Sequence, residues 1–197
     1  MPEHIRFLKH NEHHLIGKII ADGFADDPVN LWAFRNTGAM KPVFTTMASH
    51  LYLSAGFGLV NNEENAGALW LPPGVPKQFS LLADIKMGAS ILKHGDLKAV
   101  QNSLQIDAYL KKKKPKEPHY YLFAISVHPS LQGKGIGSQL MKEALKQVDE
   151  TRAPAYLESS KPENVPFYKK HGFEIVEEVV PGTDCPPMWL MWREPRL

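Results

Sequence analysis

Residues 119–138 read HYYLFAISVHPSLQGKGIGS, and how they are read decides the fold. His119 to Val127 is an apolar, β-branched and aromatic run without Gly or Pro, long enough for one buried strand. Pro129 ends it, because proline cannot donate to a ladder. Gln132-Gly133-Lys134-Gly135-Ile136-Gly137-Ser138 comes next, and then an amphipathic helix whose apolar stripe is Ile136, Leu140, Met141, Ala144, Leu145 and Val148. The unit is strand, glycine-rich loop, helix N-terminus. Glycines let the backbone approach a ligand closely and turn its amides toward it. The first amides of a helix have no internal acceptor and lie at the positive end of its dipole. That combination suits phosphate oxygens.

Three readings of the loop compete. A Walker loop requires G-x-x-x-x-G-K-[ST], and Lys134 stands between glycines instead. The dinucleotide fingerprint G-x-G-x-x-G nearly fits from Gly133, and Glu158 lies at about the distance of a ribose-binding acid. Ser138 occupies the third glycine position, however, and His128 to Gln132 separate strand from glycines where that fold allows no such gap. A plain strand-to-helix turn without ligand is the third reading.

Residues 125–138, ISVHPSLQGKGIGS, resemble the acyl-CoA loop of the GNAT superfamily of N-acetyltransferases. Gln132, Gly135 and Gly137 fill the family pattern of Gln or Arg, two residues, Gly, any residue, Gly or Ala. A second match, NVPFYKKHGF over 164–173, carries the family's Asn, Phe-Tyr and Gly-Phe in the right order. The resemblance is close over 119–175 and loose over the first hundred residues. It implies acetyl-CoA or coenzyme A as cofactor, with the pyrophosphate on the amides of Gln132, Gly133, Lys134, Gly135, Ile136, Gly137 and Ser138. It further implies that backbone groups at Ile125 and Val127 run along the pantetheine arm, with Asn164 and Phe167 beside it. The fold it implies is α/β (α+β): a mixed twisted sheet of about six or seven strands, helices on both faces, and a helical insertion before the central strand.

Composition narrows the class. A chain of 197 residues suits one sizeable core, and 1–197 reads as a single domain. With 43% hydrophobic and 22% charged residues it is globular in composition. A net charge of +2 predicts no general affinity for nucleic acid or membrane. One cysteine, Cys185, allows no intrachain disulfide, and MPEHIRFLKHNEHH is too polar for a signal peptide, so a cytoplasmic location is expected. The uncharged stretch 42–62 has helical apolar periodicity and polar residues, which reads as an amphipathic soluble helix.

Along the rest of the chain, Ile5 and Phe7 mark a first strand, and a helix capped by Asn11 comes after it, ended by Asp26-Asp27-Pro28. A hairpin spans 56–71 around Asn61 to Asn65, Pro72-Pro73-Gly74 breaks the sheet, and 78–112 is a helical insertion marked by Leu81, Leu82, Ile85, Ile91 and Leu92. Lys111 to Lys114 with Lys116 read as a solvated linker, and His10, His13 and His14 as surface residues, since no further ligand is spaced to complete a metal site. Residues 155–159 form a strand parallel to 119–127, 164–171 a helix stopped by Gly172, and 173–180 with 188–193 a well-covered final pair.

The expected chemistry is acetyl transfer from acetyl-CoA to a primary amine by direct attack, most simply of a small molecule. An alkylamine is protonated at neutral pH and must lose a proton, and the departing thiolate must gain one. Tyr168 matches the family position of the acid, and a phenol stays protonated at pH 7. The central strand carries no Glu where some GNAT members place a base, which leaves Glu158 as the base acting through water. Trp32 and Phe34 are the candidate wall of the acceptor site. The competing classes are a non-catalytic acyl-CoA sensor and a protein N-acetyltransferase; the oligomeric state cannot be read.

Overall fold

A computed structural model describes residues 4–196. Seven strands form one sheet in the order β1-β2-β3-β4-β5-β7-β6. They are β1 (Ile5–Phe7), β2 (Phe57–Asn61), β3 (Ala66–Leu71), β4 (Tyr120–Val127), β5 (Ala155–Ser159), β6 (Glu174–Val179) and β7 (Met188–Arg193). Every neighbouring pair is antiparallel except β4 and β5. That parallel pair needs a crossover, and α7 (Ile136–Glu150) supplies it. The six residues of its apolar stripe are the six it buries.

One face of the sheet carries α1 (His13–Gly23), α2 (Pro28–Phe34) and α3 (Met40–Met47), the last continuing through a π-turn, Ala48–Tyr52, into α4 (Leu53–Ala55). On the same side lie α5 (Leu81–His94) and α6 (Leu97–Lys113), the helical insertion, capped by Ser80 and Asp96 side chains that accept from Ala83 and Ala99 amides. The other face carries α7 and α8 (Val165–Lys170). Among the described residues no helix is long and apolar enough to cross a membrane.

Several local expectations are corrected. Asn11 is not a cap: it lies in a 3-10 turn, His10–Glu12, closed by the Glu12 carboxylate accepting from the Lys9 amide at 2.7 Å, and α1 starts at His13. Asp27-Pro28 opens α2 rather than closing a helix, with Asp27 as N-cap and Pro28 in the first turn, where its missing N–H costs nothing. Of the insertion's apolar markers only Ile91 is buried; Leu81 is 76% exposed. Of the final strand pair only β7 is well covered: it inserts between β5 and β6 and buries Met188, Leu190 and Met191, leaving β6 as an edge with Ile175 and Val176 exposed.

Two irregularities in β4 open the sheet beside it. The β3–β4 register passes from Leu69 opposite Ala124 to Trp70 opposite Leu122, so Phe123 has no partner and the strand bends. On its other side β4 pairs with β5 only from Tyr120 to Leu122. Beyond that, the edge of β4 from Phe123 to Val127 faces no strand, and a wedge opens between β4 and β5.

Candidate active site

The glycine loop lies at the open end of the wedge. Gln132 donates from Nε2 to the Val127 carbonyl at 3.2 Å, folding the loop back onto the strand end. Gly133 and Gly135 have φ of 77° and 84°, left-handed values that a side chain resists, and a Cβ added at either would meet nothing within 4 Å. Space above the loop is therefore open, and no packing demand requires glycine at either place. Gly135 is the N-cap of α7, so the amides of Ile136, Gly137 and Ser138 form its first turn and lack intrahelical acceptors. A Cβ on Gly137 would sit 3.6 Å from both Phe167 and Val127, which brings the predicted loop, strand and helix positions to one spot. Ser138 Oγ lies 3.2 Å from Nε2 of His171, whose charged form burial disfavours, with nearby cations adding to that effect.

Asn164 reaches α8 without capping it. Its dihedrals (φ −84°, ψ −17°) are already helical because the 3-10 turn Pro162–Asn164 runs straight into α8, and its side chain accepts no cap bond. That part of the expectation is corrected. Tyr168 is buried on the α7 side, edge-on to Phe167 and Phe173 at centroid distances of 5.2 and 6.2 Å. Burial, and then the negative charge of Asp27, push its pKa well up, so the phenol keeps its proton at neutral pH.

Asp27 reaches Tyr168's surroundings from the opposite layer. It is 1% exposed, and its carboxylate accepts from the Asn30 amide at 2.8 Å, from Asn30 Nδ2 at 2.9 Å and from the Ser160 hydroxyl. Burial outweighs those bonds and raises its pKa. Ser160 comes directly after β5, so this group closes the end of the wedge.

On the α1–α3 side the wedge opens into a cavity of about 660 Å³. Phe24, Phe34, Phe44, Phe79 and Phe123 give it aromatic walls, and α5 and α6 roof it through Met87, Ile91 and Leu110. Phe34 lines it; Trp32 does not, but packs beside Gly182. Glu158 stands on its floor, one residue past the last β4–β5 pair. Tyr121 donates to the Glu158 carboxylate at 2.6 Å, and Lys77 donates to the Tyr121 hydroxyl at 3.4 Å. Burial and then the Glu158 charge hold Tyr121 and Tyr156 well above the ordinary phenol range.

The residue pattern over this region has a family match. Residues 99–175 match the model of the acetyltransferase (GNAT) domain. Over this segment the chain is similar to a GNAT acetyltransferase domain. An uncharacterised N-acetyltransferase of Schizosaccharomyces pombe is 28% identical over 197 aligned residues, covering 89% of this chain and 77% of that protein. Among solved structures, a histone acetyltransferase HPA2 and related acetyltransferase from Corynebacterium glutamicum superposes with a TM-score of 0.74 at 21% identity, over 100% of this chain and 98% of that one. A mosquito arylalkylamine N-acetyltransferase-like protein gives 0.62 at 12% identity over 97% and 99%. These two likenesses establish the shared fold, a mixed seven-stranded sheet between helices. GNAT acetyltransferases generally use acetyl-CoA.

Sequence reasoning missed Asp27, Ser160, Tyr121, Lys77 and Lys114. The Asp-Pro pair was a usable signal for Asp27, since it also fits N-cap followed by N1. Lys114, read within a solvated run, is half-buried instead, with its ammonium 5.1 Å from the Tyr121 ring centre.

Proposed function

We propose that the protein transfers an acetyl group from acetyl-CoA to a primary amine of a small molecule with an apolar body. The observation that carries this is the β4 edge left unpaired by β5 beyond Leu122: its start, at Phe123 and Ala124, lines the cavity that holds Glu158, and its far end runs into the glycine loop. The residues fit the cofactor. The unobstructed left-handed glycines and free helix-start amides suit its pyrophosphate, and the unpaired edge at Ile125 and Val127 suits its pantetheine amides. Asn164 and Phe167 flank that path. Acetyl-CoA supplies an activated acetyl group whose departing thiolate needs a proton.

The side chains divide the proton work across the sheet. Glu158, held by Tyr121, takes a proton from the acceptor ammonium on the cavity side, directly or through one water. The neutral amine then attacks the acetyl carbonyl. Tyr168, on the α7 side, gives its phenolic proton to the thiolate, and the proton that nitrogen loses as the amide forms goes to solvent, which restores the phenol. A cavity of this volume, partly open to solvent, fits a small molecule with an apolar body.

Tyr168→Phe is the test, read with acetyl-CoA and a panel of mixed amines. The ring and its packing remain, so melting temperature and coenzyme A affinity should hold while turnover falls about 10²–10⁴-fold. Near-wild-type turnover refutes the acid role, and absence of thiol release from the wild type with every amine leaves the acyl-CoA sensor as the reading.

A further inference from the structure

Among the described residues, two lysines that form no ion pair converge on Tyr121 beside Glu158: Lys77, which lines the cavity, and Lys114, which reaches the same ring from just outside the lining. Lys77 Nζ lies 5.2 Å from the Tyr121 ring centre and 5.9 Å from that of Phe123; Lys114 Nζ lies 5.1 Å from the same Tyr121 ring. Both side chains are only partly exposed. Neighbouring lysines of the insertion have acidic partners, Lys111 with Asp107 and Lys113 with Glu177. Among the described residues neither Lys77 nor Lys114 forms an ion pair, and the Tyr121 hydroxyl is the one hydrogen-bond acceptor of Lys77. Two like charges converging on one tyrosine repel each other, and burial together with the charge of Lys77 lowers the pKa of Lys114 against a smaller opposing pull from Glu158. An arrangement of this kind becomes favourable when an anion sits between the ammoniums.

That anion is not the cofactor's phosphate. From Tyr121 to Val127, β4 runs about 20 Å at 3.3 Å per residue, and the glycine loop lies beyond that end. The anion belongs to the acceptor. A negative group stands directly beside the two cations, because Glu158 and Lys77 bind the same Tyr121 oxygen, at 2.6 and 3.4 Å. One phenol oxygen thus separates an ammonium-binding carboxylate from a carboxylate-binding ammonium. A ligand matching this pair carries its amine and its carboxylate a few bonds apart, and the aromatic walls match an apolar remainder.

We propose, resting on the reading of this cavity as the acceptor site, that the substrate is an α-amino acid with a large apolar side chain, its carboxylate held by Lys77 and Lys114 and its amine presented at Glu158. The bond formed is between the α-nitrogen and the acetyl carbon. The bond broken is the thioester C–S bond: one α-ammonium proton passes to Glu158 before attack, the Tyr168 proton passes to the thiolate, and the second proton that nitrogen loses as the amide forms goes to solvent, which reprotonates the phenolate.

Matched probes differing only by the carboxylate test this without needing turnover. N-acetyl-L-phenylalanine and N-acetyl-2-phenylethylamine are titrated into the coenzyme A-saturated protein by calorimetry. The acid should bind at least tenfold more tightly, and added salt should weaken only the acid. Lys77→Met and Lys114→Met, each checked by its melting curve, should each shrink that ratio toward one. Equal binding of the two probes, preference for the uncharged one, binding of neither, or a ratio unmoved in both folded variants overturns the proposal. Acetyl transfer is assayed separately with L-phenylalanine and 2-phenylethylamine. Turnover of the amine but not the amino acid refutes the amino-acid substrate and leaves acetyl transfer standing. Carboxylate-dependent binding without turnover of either refutes acetyl transfer and leaves the anion site standing.

Discussion

Gly135→Ala separates what the loop's backbone does for folding from what it does for coenzyme A. Gly135 has φ 84° and ψ 0°, and a Cβ there would touch nothing within 4 Å. The substitution therefore costs backbone strain alone, about 1–2 kcal/mol for a left-handed residue bearing Cβ. In a domain of this size that lowers the melting temperature by roughly 2–8 °C, at 2–4 °C per kcal/mol. Gly74 provides a matched control: φ is 82°, and a Cβ there also meets nothing within 4 Å, but it lies in the turn after β3, away from the loop. Gly74→Ala should lose a similar amount of stability. The two variants differ in what occupies the open space, because at Gly135 the new methyl stands where phosphate oxygens would meet the amides. Losing one hydrogen bond to a charged oxygen, about 1.5–3 kcal/mol, weakens binding roughly 10- to 100-fold. Calorimetry with coenzyme A on both variants reads this directly. Equal coenzyme A affinity in Gly135→Ala, Gly74→Ala and the wild type would refute the loop as the phosphate site.

Three further substitutions test the surroundings. Arg193 is 1% exposed and binds Asp149 bidentately at 2.6 and 2.9 Å, so Asp149→Ala strands a buried cation; the loss should be near 3 kcal/mol, the lower end for broken buried pairs, because Asp149 is 34% exposed. Denaturant unfolding checks it, and the double variant with Arg193→Met should recover part of the loss. Asp27's pKa is raised, chiefly by burial, so its folded form takes up a proton before its unfolded form does as pH falls. Stability should therefore rise as pH drops from neutral toward the ordinary carboxylate range, and Asp27→Asn, which keeps a capping side chain, should flatten that component of the melting-temperature profile. Asn164→Ala, lacking any cap bond to lose, should shift the melting temperature by less than about 2 °C, as surface changes within 0.5 kcal/mol do, and should weaken acetyl-CoA binding; unchanged affinity removes Asn164 from the cofactor path.

How much the sequence discloses depends on the physics of each segment. The unit from β4 through α7 is legible because a glycine-free apolar run, a glycine loop and a 3.6-residue stripe leave few ways to pack, and all six stripe residues are buried. Glu158 is legible as a carboxylate ending a strand, but its partner is not, because pairing depends on register. Tyr121 opposes Tyr156, so residues two further along β5 share its face, and only that alignment puts its phenol 2.6 Å from Glu158. Trp32 and Phe34 read together in sequence because nearby aromatics suggest one wall. Once Asp27-Pro28 starts a helix, residues two apart point about 200° from each other, and Phe34 reaches the cavity while Trp32 cannot. Lys114 is hidden by its company in a basic run. It lies just past the end of α6, where the chain turns toward β4, and this turn carries its ammonium over Tyr121 while Lys111 and Lys112 remain exposed. In each case residue type and local period are correct, and the missing quantity is the relative placement of two elements. Register and helix orientation, rather than composition, decide which of these charges face the wedge and which face water.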